Sequence, residues 1–250
     1  MAFSNTYVFG FAATVCLVCS LSLAGAAKGL EDIQNANKLR DKQASVLSAL
    51  GIPGDGAAPL RGEAIDASWE ENVEVIFVSP EGVPVEASTH DQTGDGLLSE
   101  EDVALAWKNV KGTDAVPKIL SVYQRKDESG SVIRFAVPVY GAGLWGPISG
   151  YLALDPMGRD ILGATFFAPK ETPGLGLEIA KPKFIDQWPG KQFNGPSGET
   201  VTVAKDCSTS ADNLCVDGVS GATITSRGVR DMVASASTFY TPYLQQIAGS

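Results

Sequence analysis

The chain has 250 residues, 19 Lys and Arg against 29 Asp and Glu, and a formal net charge of −10. Such an acidic chain lacks the clustered cations that neutralise a nucleic-acid backbone. His90 is the single histidine, which excludes a histidine-rich metal site. At this length the chain holds one sizeable domain or two small ones.

Residues 1–27 carry no charge, and Val8 to Ala27 is almost wholly apolar. That run matches the length of a bilayer-spanning helix. Ala24-Gly25-Ala26 is also a plausible cleavage sequence, so a removed signal peptide is the rival reading. No Lys or Arg precedes the apolar run, which favours an uncleaved anchor. The first cation, Lys28, follows the span, and the local cation count does not place the C-terminal part outside. Cys16 and Cys19 read as small apolar residues of the anchor. Residues 28–55 form a stalk helix and linker: Leu39, Val46, Leu47 and Leu50 fall near one face, and Gly51 and Pro53 stop the helix.

Residues 56–118 read as a variable α/β segment. A strand over Val73–Val78 turns at Ser79–Gly82 into Val83-Pro84-Val85. Asp91, Thr93, Asp95 and Gly96 then fall at calcium-loop spacing, with the Leu97 carbonyl as a further ligand. Asp102 stands where a bidentate Glu is usual, and no convincing helix precedes the loop. The other reading of this stretch is an Asp/Gly turn with Ser99 capping a helix over 99–110.

From residue 119 the pattern is mainly antiparallel. Ile119–Tyr123 and Val132–Tyr140 read as strands joined near Asp127–Gly130, and Ile148–Leu154 and Ile161–Phe167 as a hairpin around Asp155–Gly158. Between these pairs lies a flexible loop, Gly141–Gly146, carrying Leu144 and Trp145. Glu171-Thr172-Pro173-Gly174-Leu175-Gly176 reads as a tight loop, and its glycine spacing does not fit a dinucleotide fingerprint. A short helix over Phe184–Trp188 and a strand over Val201–Ala204 follow. Cys207 and Cys215, in a loop-like stretch, are able to pair in an oxidising compartment.

The stretch Asp217-Gly-Val-Ser220-Gly221-Ala222-Thr223-Ile224-Thr225-Ser226 then enters an amphipathic pattern with Val229, Met232, Val233, Ala236, Tyr240 and Leu244 at helical spacing. Helix N-termini expose unpaired N–H groups and favour anions, so this entrance suits a phosphate. The plainer reading is that Thr225 or Ser226 caps the helix.

Ser220-Gly221-Ala222-Thr223-x-Thr225, with an Asp three residues before the Ser, resembles the flavinylation motif of FMN-binding subunits. There a flavin transferase esterifies the Thr after Gly-Ala with the FMN phosphate. The motif stands together with the anchor, the stalk's Asp41-Lys42-Gln43, Gly143-Leu144-Trp145, Glu171–Gly176, Gln187-Trp188 and Gly190-Lys191. That set resembles the single-helix, covalent FMN-binding subunit of the sodium-translocating NADH:quinone oxidoreductase. The match is dense from about Pro138 to Val229 and poor between about Gly54 and Lys118, where the calcium-like loop departs from the family.

The resemblance implies an α+β fold: one transmembrane helix, then a periplasmic FMN-binding domain over 119–250 of mainly antiparallel sheet with flanking helices. It implies single-pass insertion in the bacterial inner membrane and covalent FMN on Thr223. It implies partners among the other subunits of the membrane complex, especially the neighbouring flavin-carrying one and those of the iron centre. The role implied is electron transfer within a sodium-pumping NADH:ubiquinone oxidoreductase, with no turnover by this chain alone. Ser220, Gly221 and Ala222 are expected around the phosphate. Leu144 and Trp145 are expected over a ring face, unless Trp145 is a core residue. Glu171, Thr172, Gly174 and Leu175 are expected along the ring edge through backbone N–H groups. Asp217 is expected to be read by the transferase. The alternatives are the related FMN-binding subunit of Rnf electron-transport complexes and, in another class, a membrane-anchored calcium-binding module.

Overall fold

The computed structural model describes residues 4–53, 58–85, 117, 119–208 and 210–248. The calcium-like stretch Asp91–Asp102 lies outside the described residues. The chain divides into two compact units, Met1–Gln43 and Ala44–Ser250.

From Asn5 onward the first unit is helical, part of α1 (Asn5–Ala49). Its segment Thr6–Glu31 contains a stretch of mean hydropathy 2.0 and is long and apolar enough to cross a membrane. At ~1.5 Å per residue, its 26 residues exceed the ~30 Å hydrocarbon core. It is rich in Ala, Leu, Val and Phe and contains no proline, so nothing breaks the helix before the charged stretch begins.

The second unit is built on a five-stranded antiparallel meander: β1 (Glu74–Val78), β2 (Leu120–Lys126), β3 (Val132–Ala142), β4 (Pro147–Leu154) and β5 (Ile161–Phe167), paired in that order. A helix that the hydrophobic pattern did not reveal, α2 (Glu63–Asn72), precedes β1; its one fully buried residue is Ile65. With so weak an apolar stripe, its position comes from tertiary packing rather than from periodicity. Beyond β5 come a 3₁₀ turn, Gly176–Ala180, and a one-turn helix, Pro182–Ile185, a few residues earlier than the expected helix over 184–188. Two short strands, β6 (Thr202–Ala204) and β7 (Cys215–Asp217), then pair in parallel. Parallel neighbours ordinarily need a long crossover; here the connection is brief and is stapled by the Cys207–Cys215 disulfide, with Cα atoms 5.7 Å apart. The chain closes with α3 (Thr223–Ala248).

Strand alternation sends successive side chains to opposite faces. Phe135, Val137 and Val139 of β3 face the core shared with α3, where all six residues of the expected apolar stripe, Val229 to Leu244, are buried. On the opposite face Tyr123, Ala136, Tyr151 and Ala153 pack with Val46 and Ala49 at the end of α1, with Leu50 just beyond it and with Trp69 of α2. Tyr123 sits edge-on between Trp69 and Tyr151, with ring centroids 5.7 and 5.9 Å away, a favourable aromatic geometry.

The approach of α3 to the sheet is unusually close where it matters for the site. A Cβ on Gly228 would overlap the carbonyl oxygen of Ala142, and one on Gly141 would lie 2.7 Å from the Met232 Cβ. Glycine at both positions lets the helix lie against the end of β3. The loop leaving β3, Gly143–Gly146, is thereby brought to the first turn of α3.

Candidate cofactor site

Three segments far apart in sequence meet at the N-terminus of α3: the loop after β3, the loop 171–176 and the stretch 217–226. They enclose a cleft of about 220 Å³ whose walls include Leu144, Trp145, Leu175 and Ile224, with Thr223 at its rim. These four large apolar side chains are all exposed, Trp145 by 65%, so Trp145 is a surface residue rather than part of the core. Clustered exposed apolar side chains beside a few polar groups are what a planar aromatic ligand requires.

Thr223 is the first helical residue of α3 and is exposed. Gly221 and Thr223 line both this cleft and a neighbouring one of about 410 Å³, whose other walls include Lys205, Ser220, Ser226, Arg227 and Arg230. Thr223 therefore borders both an apolar cleft and a cationic one. The first-turn amides of α3 have no intrahelical acceptors and add to the positive potential there.

Eight of the expected residues, Leu144, Trp145, Glu171, Thr172, Leu175, Gly221, Ala222 and Thr223, line the apolar cleft. Ser220 lines the cationic one. Gly174 lies away from both, on the wall of a third cleft with Glu178, Lys183 and Asp217.

The structure corrects two detailed expectations and adds a contact that neither foresaw. First, the loop 171–176 does not offer a row of backbone donors: the N–H groups of Glu171, Gly174 and Leu175 donate to the Ala168 carbonyl, the Glu178 carboxylate and the Thr172 carbonyl. The loop's tight reverse turns consume them. Second, Thr225 and Ser226 are not N-caps, because α3 begins at Thr223 and both lie inside its first turns. The Ser226 hydroxyl accepts the Val219 N–H at 3.0 Å and ties down the approach to the helix. The added contact is buried: the Thr225 hydroxyl points inward and donates to Glu171 Oε2 at 2.6 Å, while Glu171 Oε1 accepts the Trp145 N–H at 2.7 Å. Sequence reasoning missed this carboxylate bridge because its partners are 26 and 54 residues distant.

Asp217 is held from two directions. Its backbone N–H donates to the Gln187 side-chain carbonyl at 2.9 Å, and its carboxylate accepts the Cys207 N–H at 3.0 Å. The disulfide loop and the Gln187-Trp188 segment thus set the path of the chain into Ser220. Trp188 itself is fully buried against Phe166 and Phe184, with ring centroids 5.1 and 5.9 Å away. Among the described residues no group of three or more His, Cys, Asp or Glu is arranged to hold a metal ion.

Comparison with known proteins agrees with this geometry. The FMN-binding domain family model matches residues 143–238, from the Trp145 loop into α3. The NqrC subunit of the Na(+)-translocating NADH-quinone reductase of Yersinia pestis is 30% identical over 222 residues, 87% of this chain and 82% of the relative. That of Neisseria meningitidis serogroup B is 31% identical over 255 residues, 98% of this chain and 95% of the relative. The crystal structure of the same subunit from Parabacteroides distasonis matches with a TM-score of 0.69 and 30% identity, covering 86% of this chain and 96% of that one. With likeness of this extent in both sequence and fold, the chain belongs to the NqrC family of Na(+)-translocating NADH-quinone reductase subunits.

Proposed function

We propose that this protein is a membrane-anchored electron carrier of a sodium-translocating NADH:quinone oxidoreductase, with FMN joined through its phosphate to the Thr223 hydroxyl. The observation that carries the reading is the place of Thr223: exposed, at the first turn of α3, between an apolar and a cationic cleft. Leu144, Trp145 and Leu175 provide apolar surface for the flavin ring. Arg227, Arg230, Lys205 and the first-turn amides of α3 offset the one negative charge that a phosphodiester retains. FMN, when bound, supplies the electron-accepting and electron-donating chemistry. The protein orients it and, because the cleft is open, leaves a ring edge within reach of a partner protein. Covalent attachment suits a carrier that must not lose its redox group between partners.

The partners in this reading are the other subunits of the complex and, during maturation, a flavin transferase. Electrons pass from the complex's iron centre through this chain to the neighbouring flavin-carrying subunit. The soluble domain faces the periplasm. The Cys207–Cys215 disulfide supports that side, since disulfides persist in oxidising compartments.

The test is intact mass and in-gel flavin fluorescence of the chain co-expressed with a flavin transferase. The wild type is expected to carry one FMN increment and to fluoresce under denaturing conditions; Thr223→Ala is expected to lose both. Equal fluorescence in the two would refute attachment at Thr223.

A further inference from the structure

Glu171 is the one charged side chain in the buried set among the described residues, with 6% of its surface exposed. Burying a carboxylate is costly unless its oxygens are hydrogen-bonded. Both are: Oε1 receives the Trp145 N–H and Oε2 the Thr225 hydroxyl, itself 1% exposed. These donors belong to two different segments that line the apolar cleft, one to the loop after β3 and the other to the first turn of α3. The fit is close. A Cβ on Gly143 or on Gly176 would collide with this carboxylate, so both neighbours leave room for it.

Holding two segments together does not require a charge. A glutamine has the same reach, accepts from an N–H and donates to a hydroxyl, and is cheaper to bury. What a carboxylate adds is a fixed negative charge in the wall of the cleft that would hold the flavin ring. Because Glu171 is itself buried, water screens its charge less than that of an exposed carboxylate, so it opposes the arrival of an electron on a ring in the adjoining cleft.

Taking Thr223 as the flavin carrier, we propose that Glu171 is a positioning residue that also lowers the redox potential of the tethered flavin. Its carboxylate locks the Trp145 loop to α3, fixing the ring-binding cleft, and its charge makes the flavin harder to reduce. The charge and the clamp are separable because the glutamine variant preserves one and removes the other.

The experiment uses the full chain loaded with FMN by a flavin transferase, as wild type, Glu171→Gln and Glu171→Ala. Intact mass first establishes that the flavin is on the wild-type chain. Fluorescence anisotropy of the tethered flavin then reports how firmly the ring is held, and spectroelectrochemical titration gives its midpoint potential. Glu171→Gln is expected to keep the wild-type anisotropy and to move the potential in the positive direction. Glu171→Ala is expected to lower the anisotropy, because neither the Trp145 N–H nor the Thr225 hydroxyl retains its acceptor. A wild-type potential in Glu171→Gln, or wild-type anisotropy in Glu171→Ala, overturns the proposal while leaving the carrier reading intact. If Glu171→Ala does not fold, the potential of Glu171→Gln decides alone. A wild-type chain without a flavin mass increment overturns the carrier reading itself, and this proposal with it.

Discussion

Thr223 and Thr225 are two residues apart and chemically identical, yet they have opposite surroundings. Their directions differ by about 200° around an α-helix at ~3.6 residues per turn. Thr223 is exposed, whereas the Thr225 hydroxyl is sealed against Glu171. Only the exposed one is accessible to a modifying enzyme. Farther along α3, Tyr240 shows how one buried hydroxyl ties helix to sheet: fully buried, it donates to the Ser121 carbonyl of β2 at 2.9 Å. Burial first, and then the neighbouring Tyr140 and Tyr151, raise its pKa well above the ordinary 10.0. The unfolded chain therefore releases this proton at a pH where the folded chain still holds it, and stability falls as pH rises past about 10. Tyr240→Phe is expected to cost about 1 kcal/mol at neutral pH and to flatten that alkaline decline. Tyr243, raised in the same direction chiefly by burial, leaves a residual slope. Urea unfolding at pH 7 and above 10 would check both effects, and an unchanged slope would refute the assignment.

Among the elements, α3 couples the core to the site. Its apolar stripe fixes its rotation against the sheet, and Gly228 fixes its distance from β3. Alanine is the better helix former by up to ~1 kcal/mol, so propensity alone would favour Gly228→Ala. The added methyl, however, meets the backbone carbonyl of Ala142, which has no side-chain rotamer through which to yield. Overpacking of this kind costs about 1–3 kcal/mol and outweighs the propensity gain. Gly228→Ala is expected to lower the thermal midpoint and to loosen the ring cleft, since lifting α3 separates Thr225 from Glu171. Calorimetry and the anisotropy of the tethered flavin would show the two losses together; a raised midpoint would mean that the sheet adapts.

At the level of the whole molecule, a helix able to cross a membrane precedes a domain that carries a disulfide. The bridge closes a short loop immediately before the stretch that carries Thr223. In the chain-entropy account a loop of this size contributes about 2–3 kcal/mol. The double variant Cys207→Ser, Cys215→Ser is expected to lose that much in urea unfolding, and the reduced wild type should converge on the same midpoint. Coincident midpoints for oxidised wild type and variant would show that the parallel β6–β7 pair holds without its staple.

The anchor, the meander strands and the final helix were legible in the sequence because each has its own periodicity: an uninterrupted apolar run, alternation by two, or a stripe at 3.6. The stretch 217–226 was legible as a helix entrance because a small-residue turn before a helix is a local feature. Helix α2 was not, since only Ile65 of its ten residues is fully buried; nor was β7, which is three residues long. The parallel β6–β7 pairing, the Cys207–Cys215 bridge and the carboxylate clamp were decided only by the tertiary structure. Each depends on the distance between segments separated in the chain, and neither periodicity nor composition encodes distance. So the sequence alone picked out Thr223 as the candidate hydroxyl, while the fold decided that Thr225 turns inward and that Glu171, rather than a row of backbone amides, organises the cleft.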